Sequence, residues 1–271
     1  MKKEKLANAS LIVVATLLSQ TVSAQTIDFN SPPFTAGAGL NGQQNWLAES
    51  SWNVDVGGGS VSTDTNAEIA VLNTPVTLAV GETFSYYVEF RYTGTYAVPT
   101  GNLSLFQTGL NDSTGLVANT AANTDAHFNV QAFGTNQDQR LLVGFTNISG
   151  DNNLDPIDTN HTYRIEYEIT LGIDAASTNY VGRFDNISTG QDGGDSNFSG
   201  IDTSIYDALT GSGAYVYFQS LNPAANASGL TGVEVGRVAI IPEPKVYSLI
   251  VAAGAFLFVH LRKKQSRKTS C

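Results

Sequence analysis

The 271 residues include 14 basic and 24 acidic side chains, a formal charge of −10, with one cysteine, three histidines and 42% hydrophobic residues. The basic residues are unevenly placed: between Gln25 and Ile241 there are five arginines, no lysine and 22 acids, a formal charge of −17, which excludes nucleic acid and anionic membrane surfaces as partners of that body. Because Cys271 is the only cysteine, the body has no disulfide, no cysteine-ligated zinc and no cysteine nucleophile, and it must be stabilised by a core that its 217 residues are long enough to bury as one all-β domain.

In chain order, Lys2, Lys3 and Lys5 form a positive start, residues 11–18 are apolar, and Val22-Ser23-Ala24 offers the small-residue pattern that signal peptidase cleaves. Residues 1–24 are therefore read as a signal peptide, with the cut between Ala24 and Gln25. Short strands are expected at 26–29, 52–56, 68–72 and 76–80. From 82 to 92 the alternation is clear: Phe84, Tyr86, Val88, Phe90 and Tyr92 face one side, while Thr83, Ser85, Tyr87, Glu89 and Arg91 face the other. Strands at 103–108, 127–133 and 140–146 follow. Residues 162–171 repeat the pattern, with Tyr163, Ile165, Tyr167, Ile169 and Leu171 inward and Thr162, Arg164, Glu166, Glu168 and Thr170 outward. Tyr180, Gly182 and Phe184 continue it against Arg183 and Asp185, and strands at 214–219 and 232–240 complete the body. Loops dense in Gly, Asn and Asp, such as 151–153 and 191–195, separate them. The best helical candidate is a turn or two around 203–209.

About a dozen short strands with glycine-rich connections indicate an all-β, antiparallel two-sheet sandwich. Within that class the chain resembles a concanavalin A-like or laminin-G-like jelly roll. The resemblance lies in Asp28-Phe29 with Pro32-Pro33-Phe34, in Trp46 and Trp52 after Leu40-Asn41-Gly42-Gln43, and in the closing run Gly232-Val233-Glu234-Val235-Gly236-Arg237-Val238. It implies that the first and last strands lie together at a sheet edge. An immunoglobulin-like sandwich is the rival architecture.

Glu166 and Glu168 project from one strand face about 6.5 to 7 Å apart, near the spacing of carboxylate pairs in glycoside hydrolysis. Jelly-roll laminarinases, however, have a third carboxylate in a Glu-x-Asp-x-x-Glu or Glu-x-Asp-x-Glu signature, and residues 164–170 lack it. The body is therefore read as non-catalytic. Arg91, Arg164 and Arg183 stand beside Glu89, Glu166 and Asp185, so the outward face reads as cross-strand ion pairs. The same face, through Tyr87, Arg91, Arg164 and Glu166, also suits a glycan, with Tyr87 as a stacking platform. His127 and His161 have no adjacent ligand pattern, and no Gly-x-Ser-x-Gly occurs. Calcium is the cofactor that Asp151, Asp155 and Asp158 would hold, with Asp192 and Asp195 as a second cluster; ordinary turn chemistry explains both without an ion. Within the body, Asn-x-Ser/Thr triplets begin at Asn102, Asn111, Asn147, Asn160, Asn186, Asn197 and Asn226.

The C-terminus reads Pro242-Glu243-Pro244, an apolar run at 246–261, then a basic tail at 262–268 containing Arg262, Lys263, Lys264, Arg267 and Lys268. An apolar segment closed by basic residues is a stop-transfer anchor. At about 1.5 Å per residue its 16 residues reach roughly 24 Å, short of the usual span and suited to a temporary anchor. The three-part order resembles the PEP-CTERM sorting signal of Gram-negative bacteria. That resemblance implies an exosortase as processing partner and divides the chain into a signal peptide (1–24), a sandwich ectodomain (25–241) and a sorting signal (242–271). The expected protein is exported, held briefly in the inner membrane, and then placed at the cell surface or in an exopolysaccharide matrix. A carbohydrate-binding module, calcium-dependent through its loops, is the alternative, and a glycoside hydrolase a further one.

Overall fold

The computed structural model describes residues 25–30, 32–64, 67–97, 101, 103–116, 127–132, 139–143, 146–147, 153–154, 156–221 and 229–242. The alternation at 82–92 becomes β6 (Thr83–Gly94), and that at 162–171 becomes β12 (Tyr163–Thr170). They pair antiparallel with Tyr86 opposite Tyr167 and Phe90 opposite Tyr163, so both aromatic sets point to one side and are buried. Around this pair the first sheet runs β14 (Gln191–Ser199), β13 (Asn179–Asn186), β12, β6, β16 (Leu230–Pro242), β4 (Val61–Thr63) and β3 (Asn53–Val54), and β1 (Gln25–Ile27) also pairs with β16.

The second sheet runs β10 (Thr146–Asn147), β9 (Gln139–Val143), β8 (His127–Ala132), β7 (Leu103–Asn111), β15 (Tyr215–Ser220), β5 (Ile69–Leu72) and β2 (Trp46–Ala48), with β11 (Asn153–Leu154) on β9. The chain exchanges sheets on both sides of β2, at β4 to β5, β5 to β6, β6 to β7, β11 to β12, and on both sides of β15. This repeated crossing, with antiparallel pairing throughout, is consistent with a jelly-roll sandwich. Terminal strands β1 and β16 do pair, Thr26 opposite Ala239, with β16 itself lying between β6 and β4. The 13-residue β16 is long enough to pair with β4 along Val233–Val235 and with β1 along Val238–Ile240.

Aromatic rings close the space between the sheets. Phe90 stacks on Phe106 with centroids 4.2 Å apart, Trp46 and Trp52 both abut Phe218 at 5.0 and 4.9 Å, and Phe128 meets Tyr167 edge-on at 5.5 Å. Tyr86 reaches across to the Thr108 hydroxyl at 3.1 Å. Burial holds the phenols of Tyr86, Tyr92 and Tyr167 well above the ordinary tyrosine pKa. Gly182 faces inward as expected: a Cβ there would lie 2.3 Å from the Phe128 ring.

Two sequence expectations need correction. Residues 76–80 form no strand; Val76 makes an isolated bridge to Ala214, and Leu78 donates its N–H to Leu209. Residues 191–195, read as a loop, are the first half of strand β14. Its inward positions are Gly193, Ser196 and the partly buried Phe198, an apolar signal too weak to read as alternation. Gly193 is required there because a Cβ would sit 2.1 Å from the Phe184 carbonyl oxygen. The helical candidate becomes α1 (Thr203–Thr210), capped by the Asp202 carboxylate accepting from Ser204 N–H, and it buries Ile205, Ala208 and Leu209. Among the described residues no helix is long and apolar enough to cross a membrane. Residues 1–24, Glu243, Pro244, the run at 246–261 and the basic tail lie outside them, and Pro242 ends β16.

Candidate functional site

Four of the five arginines of the body project from the outer face of the first sheet, and each meets a carboxylate. Glu89 on β6 accepts from Arg164 Nε at 3.1 Å and Nη2 at 2.5 Å through one oxygen, and its other oxygen lies 3.5 Å from Arg237 Nη1. Arg237 also donates to Asp28 at 2.6 Å, which ties β16 to the residue just after β1. Arg183 on β13 donates to Asp195 at 2.6 Å and lies 3.7 Å from Glu166 on β12. Arg91 donates to Glu234 at 2.6 Å. The hydrogen bonds to Asp195 and Asp28 raise the guanidinium pKa of Arg183 and Arg237 above its ordinary value.

Of the residues Tyr87, Arg91, Arg164 and Glu166, the three charged ones are engaged in ion pairs on the outer face of the first sheet. Arg164 places its guanidinium carbon 4.4 Å from the centroid of the Tyr87 ring, a cation–π contact, so one face of the proposed stacking platform is covered from within. Tyr87, Arg164 and Glu166 stay together, because Tyr87 lies opposite Glu166 and Glu89 opposite Arg164 in the β6–β12 register. Arg91 stands apart, paired with Glu234. Asp185 does not partner Arg183 by hydrogen bond; it accepts from Gly193 N–H at 3.4 Å, and burial, reinforced by the charge of Asp192, raises its pKa.

This face has a groove of about 330 Å³ lined by Gly58, Gly59, Ser60, Phe90, Arg91, Thr162, Glu234 and Gly236. Its wall is the hairpin joining β3 to β4. Gly58 and Gly59 adopt φ of +67° and +88°, which glycine tolerates without steric cost. The Asp55 carboxylate accepts from the hydroxyls of both Ser60 and Ser62, and Gly59 N–H donates to the Phe29 carbonyl at 3.1 Å. These bonds fix the wall. On the floor, the Arg91 side chain is 50% exposed and that of Glu234 16%. After their mutual bond, the guanidinium keeps further N–H donors and the carboxylate keeps an acceptor oxygen, a pairing that suits neighbouring hydroxyls on one ligand. Glu234, Arg237 and Asp28 were not singled out from sequence. Their partners become visible only once β16 is known to lie beside β6 and β1.

The remaining predicted positions separate. Glu166 and Glu168 share the outer face of β12, with Glu166 engaged by Arg183. Asp158 closes a turn, its Oδ1 accepting from Asn160 N–H at 2.8 Å, and that bond lowers its pKa. Asp151 and Asp155 lie outside the described residues. Asp192 accepts from Gly194 N–H while Asp195 pairs with Arg183, so these two carboxylates serve different partners. Among the described residues no three His, Cys, Asp or Glu side chains come together to hold a metal ion. Asn186 is 2% exposed, with its amide nitrogen 3.0 Å from His161 Nδ1 and its oxygen accepting from Ser188 and Thr189 N–H. That sequon is a structural turn and is closed to modification. Gln25, at the expected cleavage point, begins β1 opposite Ile240.

No family model matches the chain, and no curated protein sequence matches it. Among solved structures it is similar to lectin I from Ulex europaeus, at 11% identity and a TM-score of 0.48 over 80% of this chain and 96% of that one. It is similar to an endo-1,3-β-glucanase from Streptomyces sioyaensis, at 13% identity and a TM-score of 0.47 over 82% and 95%. It is also similar to arcelin-5, a lectin-like defence protein from Phaseolus vulgaris, at 6% identity and a TM-score of 0.45 over 80% and 96%. By its own strand order the described body is an all-β, two-sheet antiparallel sandwich.

Proposed function

We propose that this chain is an exported surface or extracellular-matrix protein, sorted by an exosortase through its C-terminal signal, whose sandwich holds polysaccharide without cleaving it. The observation that carries the binding reading is the groove in which Arg91 and Glu234 present donors and an acceptor beside a wall fixed by Asp55. A body with a formal charge of −17 repels acidic polymers, so the glycan is neutral. The sorting reading rests on the order of Pro242-Glu243-Pro244, apolar run and basic tail. Signal peptidase and the exosortase are its processing partners, and the inner membrane is its temporary site.

Binding of the exported protein to an array of neutral oligosaccharides tests the sandwich, with Glu234→Ala expected to weaken it at least tenfold. Equal binding by the variant would remove the groove from the account. For the tail, replacing Pro242-Glu243-Pro244 by alanines should leave the protein in the inner membrane, and unchanged release would refute exosortase processing. The non-catalytic reading is checked by hydrolysis of laminarin-like substrates: activity that falls in Glu166→Gln would replace it with a glycoside hydrolase. Loss of glycan binding on chelation would favour the calcium-dependent alternative.

A further inference from the structure

The Asn-x-Ser/Thr triplets of the body play no part in the groove. The side chains of four of their asparagines are described: Asn111, Asn160, Asn186 and Asn197. An enzyme that attaches a sugar to asparagine must take the amide nitrogen out of any hydrogen bond and hold the hydroxyl two residues on, so the four differ in what their amides are already doing.

Three of the amides are committed to the fold. Asn111 Nδ2 donates to the Gly115 carbonyl at 3.4 Å, Asn160 Nδ2 donates to the Asp158 carboxylate at 2.9 Å, and Asn186 Nδ2 lies 3.0 Å from His161 Nδ1. Asn160 is exposed, but its backbone N–H donates to the same Asp158 oxygen at 2.8 Å. Thr162, the hydroxyl residue of that triplet, is tied as well, its carbonyl accepting from Ile187 N–H at 3.0 Å. Asn197 differs: its side chain is exposed and makes no hydrogen bond among the described residues.

The position of β14 explains the difference. It is the outermost strand of the first sheet, paired on one side with β13, Asn197 opposite Val181. Phe198, the middle residue of the triplet, turns inward and stacks on Tyr180 with centroids 5.2 Å apart. Alternation then puts Asp195, Asn197 and Ser199 in one outward line, successive side chains about 6.5 to 7 Å apart and all three exposed. The strand ends at Ser199, before Gly200 with its φ of +86°, so amide and hydroxyl can be reached together from the outer face at the edge of the sheet.

We propose that Asn197 is an N-glycosylation site of the exported protein. The donor is of the polyprenyl-diphosphate-linked oligosaccharide class, used by a transferase on the outer side of the inner membrane. Asn197 Nδ2 bonds to the anomeric carbon of the sugar as that carbon's bond to the diphosphate oxygen breaks. The lipid diphosphate leaves with the electron pair, and the amide nitrogen gives one proton to a base of the transferase. The inference rests on the export reading and is independent of the groove.

The test is mass spectrometry of the exported protein purified from its producing cells. Cleavage before Asp195 and Asp202 isolates Asn197 on the peptide 195–201, away from every other triplet. That peptide is expected to be heavier by several sugar residues in most copies, with the added mass lost in both Asn197→Gln and Ser199→Ala and kept in Asn160→Gln. An unmodified peptide in most copies of the exported protein would overturn the inference and leave export standing. An added mass that survives Asn197→Gln would place the sugar on a serine and would equally overturn it. If the protein is found only inside the cytoplasm, the export reading falls and this inference with it. The wild-type peptide mass decides the matter even where a variant fails to fold.

Discussion

Glu89 and Arg164, 75 positions apart in sequence, meet through a single carboxylate oxygen that accepts from two guanidinium nitrogens. The second oxygen of Glu89 lies near Arg237, so this one acid joins β12, β6 and β16 across the middle of the first sheet. Its side chain is only 10% exposed, which sets it apart from the surface pairs around it.

Neutralising that acid should be felt in stability. Glu89→Gln leaves two guanidinium groups without their shared partner, and an expected loss of about 1 to 2 kcal/mol follows from one poorly solvated charge-assisted bond. The comparison is Arg91→Ala, whose half-exposed pair should cost about 0.5 kcal/mol. Urea unfolding of the two variants checks the ordering, and equal losses would contradict the special position of Glu89.

Close backbone approach makes a second prediction. Gly193→Ala would place a methyl group 2.1 Å from the Phe184 carbonyl oxygen, so β13 and β14 must part locally. A loss of about 2 to 3 kcal/mol is expected. Gly190→Ala, with nothing within 4 Å of its Cβ, meets only the cost of its left-handed φ of +74° and should lose less. Thermal unfolding distinguishes them.

The pH dependence of Asp185 has a definite sign. Burial raises its folded pKa above the ordinary 3.8, so the native state binds its proton more readily than the unfolded chain. The penalty is absent below 3.8, where both states are protonated, and grows as pH rises through the folded pKa. Asp185→Asn should therefore raise Tm at neutral pH, with its advantage shrinking as pH falls toward the ordinary aspartate range. An advantage that is constant across that range would show that ionisation is not the cause.

Strands with a strict aromatic alternation were legible from sequence because their register leaves no choice: shifting β6 or β12 by one residue would expose five or four buried aromatic and aliphatic side chains. The outward arginines beside outward acids were legible for the same reason. What could not be read was which distant strand lies alongside. Glu234 pairs with Arg91 across 143 positions, and Asp28 with Arg237 across 209, relationships set by the placement of β16 beside β6 and of β1 beside β16. Strand β14 was hidden because glycine and serine fill its buried positions, residues that otherwise mark turns. Buried amides on the second sheet were hidden for the opposite reason. Gln107, Asn129 and Gln219 are polar residues on strands, and nothing in the local sequence marks them as buried.

The central claim is that the sandwich grips a neutral polysaccharide through the Arg91–Glu234 groove. Its most direct test is the dissociation constant of the exported protein for the neutral polysaccharide of its own producing cells, with and without Arg91→Ala and Glu234→Ala. The account predicts binding by the wild type and at least tenfold weaker binding by the variant, about 1.4 kcal/mol or more. Equal constants for the two proteins, or no binding by the wild type, would contradict it.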